Sequence, residues 1–215
     1  MVVVPWWVLL SSACAPVALI GGWVLAAALQ PAGYDPMVQS ISSLAAQGAA
    51  DRWLMTSALF VLGFCHMTTA LGLRTAAGPG RVALGCGGVA SVAVALSPEP
   101  AGGTSLSHLV STGVGFTAVA LWPVIAAMRG AATTWALKPA TGYVATALIA
   151  VGAVWFLIEL HGHGAAGLAE RVLTGAQSTW PLIVVVACVS SGLRTPVRRV
   201  PAAAMARRER SDSER

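Results

Sequence analysis

The chain has 215 residues, of which 56% are hydrophobic and only 10% are charged. Because soluble domains have about a quarter of their residues charged, this composition excludes an ordinary soluble protein and predicts an integral membrane protein. The net charge of +5 does not indicate nucleic-acid binding, because seven of the thirteen basic residues lie in the segment 194–215. Such a segment is typical of a cytoplasmic tail beside anionic lipid.

Six apolar segments follow one another, and turn-forming residues separate them. Since a membrane-spanning helix needs about 20 mostly apolar residues, they predict an all-α bundle of six transmembrane helices. The first segment lacks the basic start of a signal peptide, so we interpret it as a span. We expect one transmembrane domain over residues 1–195 and a disordered basic tail over 196–215. The predicted spans are 5–29, 53–73, 82–97, 106–128, 139–160 and 173–193.

The distribution of Lys and Arg predicts the orientation of the bundle. One set of connections and ends contains eleven basic residues, which are Arg74, Arg81, Arg129, Lys138 and the seven of the tail. The opposite set contains only Arg52 and Arg171. Because basic residues concentrate on the cytoplasmic side, we expect a plasma-membrane protein with both termini in the cytoplasm. The five acidic residues before the tail then lie at or near the outer face.

The first outer connection contains a pattern that is typical of a short interfacial helix. Asp35 followed by Pro36 is a favourable helix start, and Gly48 ends the run. Such a helix either seals the bundle or lines a pocket for a lipid or small molecule. Asp51 is the expected cap of the second span, and Arg52 is expected at the lipid headgroups. The apolar positions of the predicted helix are Met37, Ile41, Leu44 and Ala45.

Two histidines lie in or beside the spans. His108 shares a helical face with Ser111 and Thr112 near the outer end of the fourth span. His66 lies deeper, in the second span, and an ionisable residue at membrane depth is a functional hypothesis. A structural interpretation is equally open for His66, because a neutral, hydrogen-bonded histidine is stable inside a bundle.

The stretch "ELHGHG" raises the question of a metal site. Glu159, His161 and His163 alternate, so an extended backbone would direct all three side chains to one side, as a zinc ion requires. However, no fourth ligand is at a characteristic spacing, and we favour the end of the fifth helix. We therefore predict no metal and no cofactor, and no nucleotide-, haem- or serine-hydrolase motif is present in the sequence.

The segment "GLAERVLTGAQSTWP" continues as a helix into the sixth span. Glu170, Thr174 and Gln177 fall on one face, which predicts a polar stripe directed at other helices. Glu170 and Arg171 are expected to pair with groups on the first outer connection. The candidate outer pocket or functional surface comprises Asp35, Gln39, Ser42, Asp51, Arg52, His108, Glu159, His161, Glu170, Arg171 and Gln177.

Three blocks of the sequence resemble the domain of unknown function 998 family. They are "YDPMVQSISSLAAQGAADRWLMTSALFVLGFCHMTTALGLR", "LSHLVSTGVGF" and "WFLIELHGHGAAGLAERVLTGAQSTWPL". The resemblance covers roughly residues 15–195, and its first and last blocks are the most specific. It implies a bacterial integral membrane protein with six helices, and it implies no particular reaction.

Three functions remain open at this point. We favour a non-catalytic protein that binds membrane lipids, or another membrane protein, through its outer face. An alternative is a membrane-embedded hydrolase or transferase, with or without a metal, that acts on a lipid-like substrate. It would use His108, His161 or His163 together with Asp35, Asp51 or Glu159. A second alternative is a small transporter with a polar path past His66.

Overall fold

A computed structural model describes residues 4–194 of the protein, except residues 102, 104, 131 and 132. Within this part of the chain there are six α-helices and no β-strand, which confirms the predicted fold class. Short 3-10 turns occur at Ser42–Ala45 and Trp135–Leu137. The helices are α1 (Trp6–Ala28), α2 (Trp53–Gly72), α3 (Gly78–Leu96), α4 (Leu106–Ile125), α5 (Pro139–Gly162) and α6 (Ala166–Arg194).

All six helices are long and apolar enough to cross a membrane, as predicted. Two of them start earlier than expected, since α3 begins at Gly78 rather than residue 82 and α6 at Ala166 rather than residue 173. Pro79 is compatible with the first turn of α3, because the first N–H groups of a helix have no partner within it. The start of α6 contains the charged residues Glu170 and Arg171, which lower its hydropathy, so the predicted span began later.

The helices form a ring around a central space. Helices that are consecutive in the chain pack side by side, and α6 packs against α1 to close the ring. Helices α4 and α6 also touch each other, so α5 lies outside the seam between them. The buried residues of α5 are Gly142, Ala145 and Ile149, all in its first half. The wall of the central space therefore comes from the other five helices.

Helices α2 and α3 approach closely at a pair of glycines. A Cβ atom on Gly63 would overlap the carbonyl oxygen of Gly88, and a Cβ atom on Gly88 would overlap that of Gly63. Lipid gives helices no hydrophobic reason to associate, so close contact between small residues has to hold them together. This pair fixes the distance between the two helices that form one wall of the central space.

One half of the bundle is filled by apolar side chains. Six crossings place both ends of the described chain on one side, which we call the terminal face. Trp122, Leu84 and Leu73 are fully buried near it and belong to a cluster that connects α1, α2, α3, α4 and α6. This half is therefore closed. The predicted tail, 196–215, lies outside the described residues.

Residues 29–52 connect α1 to α2 across the opposite face, and we call this segment the lid. The interfacial helix is shorter than predicted, because only Ser42–Ala45 is helical, as one 3-10 turn. Of the four apolar positions in the predicted pattern, Ile41, Leu44 and Ala45 are nevertheless buried, whereas Met37 is 47% exposed. The preceding residues form turns because their carbonyl groups bind α6 instead of continuing a helix of their own.

Candidate functional site

The turn between α5 and α6 is built around Glu159. Its carboxylate accepts hydrogen bonds from the backbone N–H of Ala165 (2.7 Å) and from the indole of Trp155 (3.1 Å). His163 ends α5 in the left-handed conformation, with φ of +52°. Glu159 and His161 both lie within the helix, so the extended arrangement that a metal site would need is not formed. The predicted helix end is confirmed.

The start of α6 is joined to the lid by backbone hydrogen bonds. The N–H groups of Gly167 and Leu168 donate to the carbonyl groups of Val38 (3.1 Å) and Met37 (3.0 Å). The first N–H groups of a helix lack partners within it, so the lid supplies them. A Cβ atom on Gly167 would overlap lid carbonyl oxygens, and this contact therefore requires glycine.

Arg171 extends the same junction through its side chain. Its Nη1 donates to the carbonyl oxygens of Pro36 (2.7 Å), Gln39 (2.9 Å) and Gly167 (2.9 Å). Its Nη2 donates to the hydroxyl of Tyr34 at 2.6 Å. The planar guanidinium has five donors in a fixed fork, so one side chain binds several groups of the lid. The predicted pairing of Arg171 with the first connection is confirmed.

Glu170 lies under the lid and is only 4% exposed. Its Oε2 accepts the backbone N–H of Ile41 at 2.6 Å, as the predicted contact with the first connection requires. Within the described part of the chain, no hydrogen bond to Oε1 is formed. One carboxylate oxygen thus fixes the lid, and the other remains available to a group in the space below.

His108 connects the lid to the α3–α4 connection. Its Nδ1 is 2.9 Å from the carbonyl oxygen of Ser97, and its Nε2 is 3.0 Å from Oγ of Ser42. Oε1 of Glu99 lies 3.7 Å from the same Nε2. The ring is 5% exposed. A carbonyl oxygen can only accept, so the hydrogen bond assigns a proton to Nδ1, and in the neutral ring the Nε2 lone pair is then directed at Ser42.

A cavity of about 90 Å³ lies beneath the lid. Because one buried water occupies about 10–15 Å³ of such a cavity, there is room for several waters or for the polar end of a larger molecule. Its walls come from the lid and from α1, α2, α3, α4 and α6. Part of the lining consists of apolar side chains such as Leu19, Leu59 and Leu62. The polar groups are Ser42, His66, Ser91, Ser111, Thr112, Glu170, Thr174, Gln177 and Ser178.

Two polar atoms in this wall have no partner. Nε2 of His66 and Oγ1 of Thr112 are buried, and neither makes a hydrogen bond to the described residues. His66 is 3% exposed. An unpaired buried polar group is costly, so these atoms favour a polar occupant. By contrast, Gln177 donates to the carbonyl of Phe116 at 3.1 Å and thereby links α6 to α4.

The remaining predicted site residues lie at the surface and away from the cavity. Asp35 is exposed, and its Oδ1 accepts the N–H of Met37. The side chains of Gln39, Arg52 and His161 are exposed as well. Asp51 does not cap α2, so that prediction is wrong. It has φ of +46°, and its carboxylate accepts the indole N–H of Trp53 instead.

Seven residues of the site were absent from the predicted surface, namely Glu99 and six polar residues of the cavity wall: His66, Ser91, Ser111, Thr112, Thr174 and Ser178. Thr112 was noted only as a neighbour of His108 on one face, and His66 was left open between a structural and a functional role. Glu99 was assigned to the outer side without a partner. The spacing of His108, Ser111 and Thr112 was the available signal for a polar wall, and it did not reveal which helix lies opposite.

One family pattern matches the chain. The family described as "Protein of unknown function (DUF998)" matches residues 12–187. No curated protein matches the chain, and no solved structure does. The match covers most of the sequence and all six helices at least in part. The chain therefore belongs to the DUF998 family, and it is a multi-pass membrane protein with six helices that are able to span the bilayer.

Proposed function

We propose that the protein binds a membrane lipid in the cavity beneath the lid. The observation that carries this proposal is the buried, unpaired Nε2 of His66 in a cavity lined by both apolar and polar side chains. Such a cavity matches an amphiphile, whose polar end satisfies buried groups while its chain contacts Leu59 and Leu62. The closed terminal half supports binding rather than passage across the membrane.

The route into the cavity supports a ligand that comes from the bilayer. The lid is fastened by hydrogen bonds to α6 and His108. Helices α4 and α6 touch over a shorter length than the other neighbouring pairs around the cavity. In the lid half, this seam is covered by an edge-to-face contact of Phe116 and Phe156, with ring centroids 6.0 Å apart. Gln177 also donates to the carbonyl of Phe116 across this seam, so a lipid that enters here has to break that one hydrogen bond as well as the apolar contact.

A cavity-filling substitution tests this function. Ser111 lines the cavity and makes no hydrogen bond within the described residues, whereas its neighbour Val110 is 56% exposed. We expect purified wild-type protein and Val110→Phe to retain a bound lipid in native mass spectrometry, and Ser111→Phe to lose it. Thermal unfolding of both variants shows whether they fold. Identical lipid contents in wild type and folded Ser111→Phe would contradict the proposal.

We further propose that the protein resides in the plasma membrane with the lid outside the cell. Arg74, Arg129 and Lys138 lie in connections at the terminal face, and Arg81 lies in the first turn of α3 at the same face. Basic residues at helix ends and in short connections favour the cytoplasmic side. A cysteine introduced at the exposed Gln47, in a variant without native cysteines, should react with a membrane-impermeant maleimide in intact cells. A cysteine at the exposed Arg74 should react only after lysis, and the reverse pattern would invert the orientation.

A further inference from the structure

Ser42 and His108 have the arrangement of a nucleophile and its base. Oγ of Ser42 lies 3.0 Å from Nε2 of His108, and the opposite ring nitrogen donates to the carbonyl of Ser97 at 2.9 Å. This contact fixes both the tautomer and the orientation of the imidazole, which is the task of the third member in a serine triad. The free Nε2 lone pair is thereby positioned to take the hydroxyl proton.

The pair borders the cavity, where a substrate would lie. Ser42 is part of the cavity wall, and His108 behind it is 5% exposed. Within the described part of the chain, the backbone N–H of Ser42 makes no hydrogen bond. The amide of the nucleophilic serine is one of the donors that bind the oxyanion in serine hydrolases, and here it remains available for that purpose.

Glu99 is positioned to stabilise the charged form of the base. Its Oε1 lies 3.7 Å from Nε2 of His108, too far for a hydrogen bond but close enough for attraction between unit charges. When Nε2 takes the serine proton, the imidazolium therefore faces a carboxylate. Neutral His108 binds Ser42 without this help, so Glu99 favours the protonated intermediate more than the resting state.

The charges around the cavity define the class of substrate. No Arg or Lys lines the cavity among the described residues, and Arg171 directs its guanidinium to lid carbonyl groups. Glu170 is in the wall, so a phosphate headgroup would meet a carboxyl group and no cation. An uncharged ester lipid, such as an acylglycerol, avoids this repulsion. Its hydroxyl groups can donate to Oε1 of Glu170 and accept from Thr112.

We propose that Ser42 and His108 cleave an uncharged ester lipid held in this cavity, a role that rests on the lipid binding proposed above. Oγ of Ser42 attacks the ester carbonyl and its proton passes to Nε2 of His108. The carbon–oxygen bond to the leaving alcohol breaks, and the alcohol takes that proton. Water, activated by the same nitrogen, then attacks the acyl-serine and releases a fatty acid and free Ser42. An acceptor alcohol in place of water gives acyl transfer.

An alkyl fluorophosphonate, which reacts with activated serines, tests this pair in full-length protein reconstituted into phosphatidylcholine vesicles. We expect adduct formation on Ser42 in wild type, its loss in Ser42→Ala, and a large reduction in its rate in His108→Gln. Ser43→Ala is the matched control, because the Ser43 hydroxyl is bonded to Ser40 within the lid. It should react like wild type.

The outcomes separate catalysis from binding. Retention of the native lipid by Ser42→Ala, together with loss of the adduct, supports a catalytic serine in an intact cavity. An unmodified wild type, or equal modification of Ser42→Ala, overturns the catalytic proposal even if the lipid still co-purifies. An unchanged labelling rate in folded His108→Gln also overturns the role of His108. If that variant fails to fold, Glu99→Gln tests the same base, because loss of the carboxylate 3.7 Å from Nε2 should slow adduct formation.

Discussion

Replacement of Gly167 by alanine is expected to detach the lid from α6 and lower the free energy of unfolding by about 2 kcal/mol. The new methyl group would overlap the carbonyl oxygens of Gln39 and Pro36, and backbone atoms cannot move aside as a flexible side chain can. Both carbonyl groups also accept from Arg171, so their displacement weakens these bonds together. Thermal unfolding in detergent measures the loss.

The control for this change is Gly162→Ala at the end of α5. No atom lies within 4 Å of a Cβ atom built on Gly162, so stability should be unchanged or slightly increased. A cysteine at Ala46 in the lid, in a variant without native cysteines, provides a second readout. Its reaction with maleimide should be faster beside Gly167→Ala than beside Gly162→Ala. Equal stability and equal reaction rates in the two backgrounds would show that the lid does not depend on this contact.

Replacement of Gly63 by alanine is expected to separate α2 from α3, also at a cost of about 2 kcal/mol. The added Cβ atom would overlap the carbonyl oxygen of Gly88 and a methyl group of Val92. Because α2 carries His66 and α3 carries Ser91, a shift between these helices also distorts the cavity. We expect a lower unfolding temperature and a reduced amount of co-purified lipid.

Gly85→Ala is the matched control in the same helix pair. Its Cβ atom would meet that of Ala70 at 3.8 Å, which is ordinary van der Waals contact. Alanine is favoured over glycine inside a helix by about 1 kcal/mol, so this variant should be as stable as wild type or more stable. The opposite order of stability for Gly63→Ala and Gly85→Ala would be inconsistent with close packing at Gly63.

The sequence was sufficient for the number and type of helices, because each span has enough apolar residues to mark it. It also indicated that Glu170 and Arg171 contact the first outer connection. It could not define the form of that connection, since the carbonyl groups of Pro36, Met37, Val38 and Gln39 can bind either a local helix or α6. The choice depends on a partner more than 120 residues away, which local pattern does not reveal.

The same limit applies to Ser42 and His108. Each was identified separately as a candidate outer residue, but they are 66 positions apart in the chain. Hydropathy places both near one face without giving the rotation of α4 or the path of the lid. The alternating Glu159, His161 and His163 show the converse case, because their pattern suits a metal but the helix end that we favoured is what forms.

The contacts between the lid and α6 also determine when the cavity forms during synthesis. The lid is made early, and the groups that fasten it, from Gly167 to Arg171, belong to α6, which follows the other five helices in the described part of the chain. A nascent chain with five inserted helices has the lid but not the carboxylate of Glu170 or the guanidinium of Arg171. The cavity therefore forms only after α6 has been added. A chain truncated before α6 would keep five helices but would not enclose the cavity.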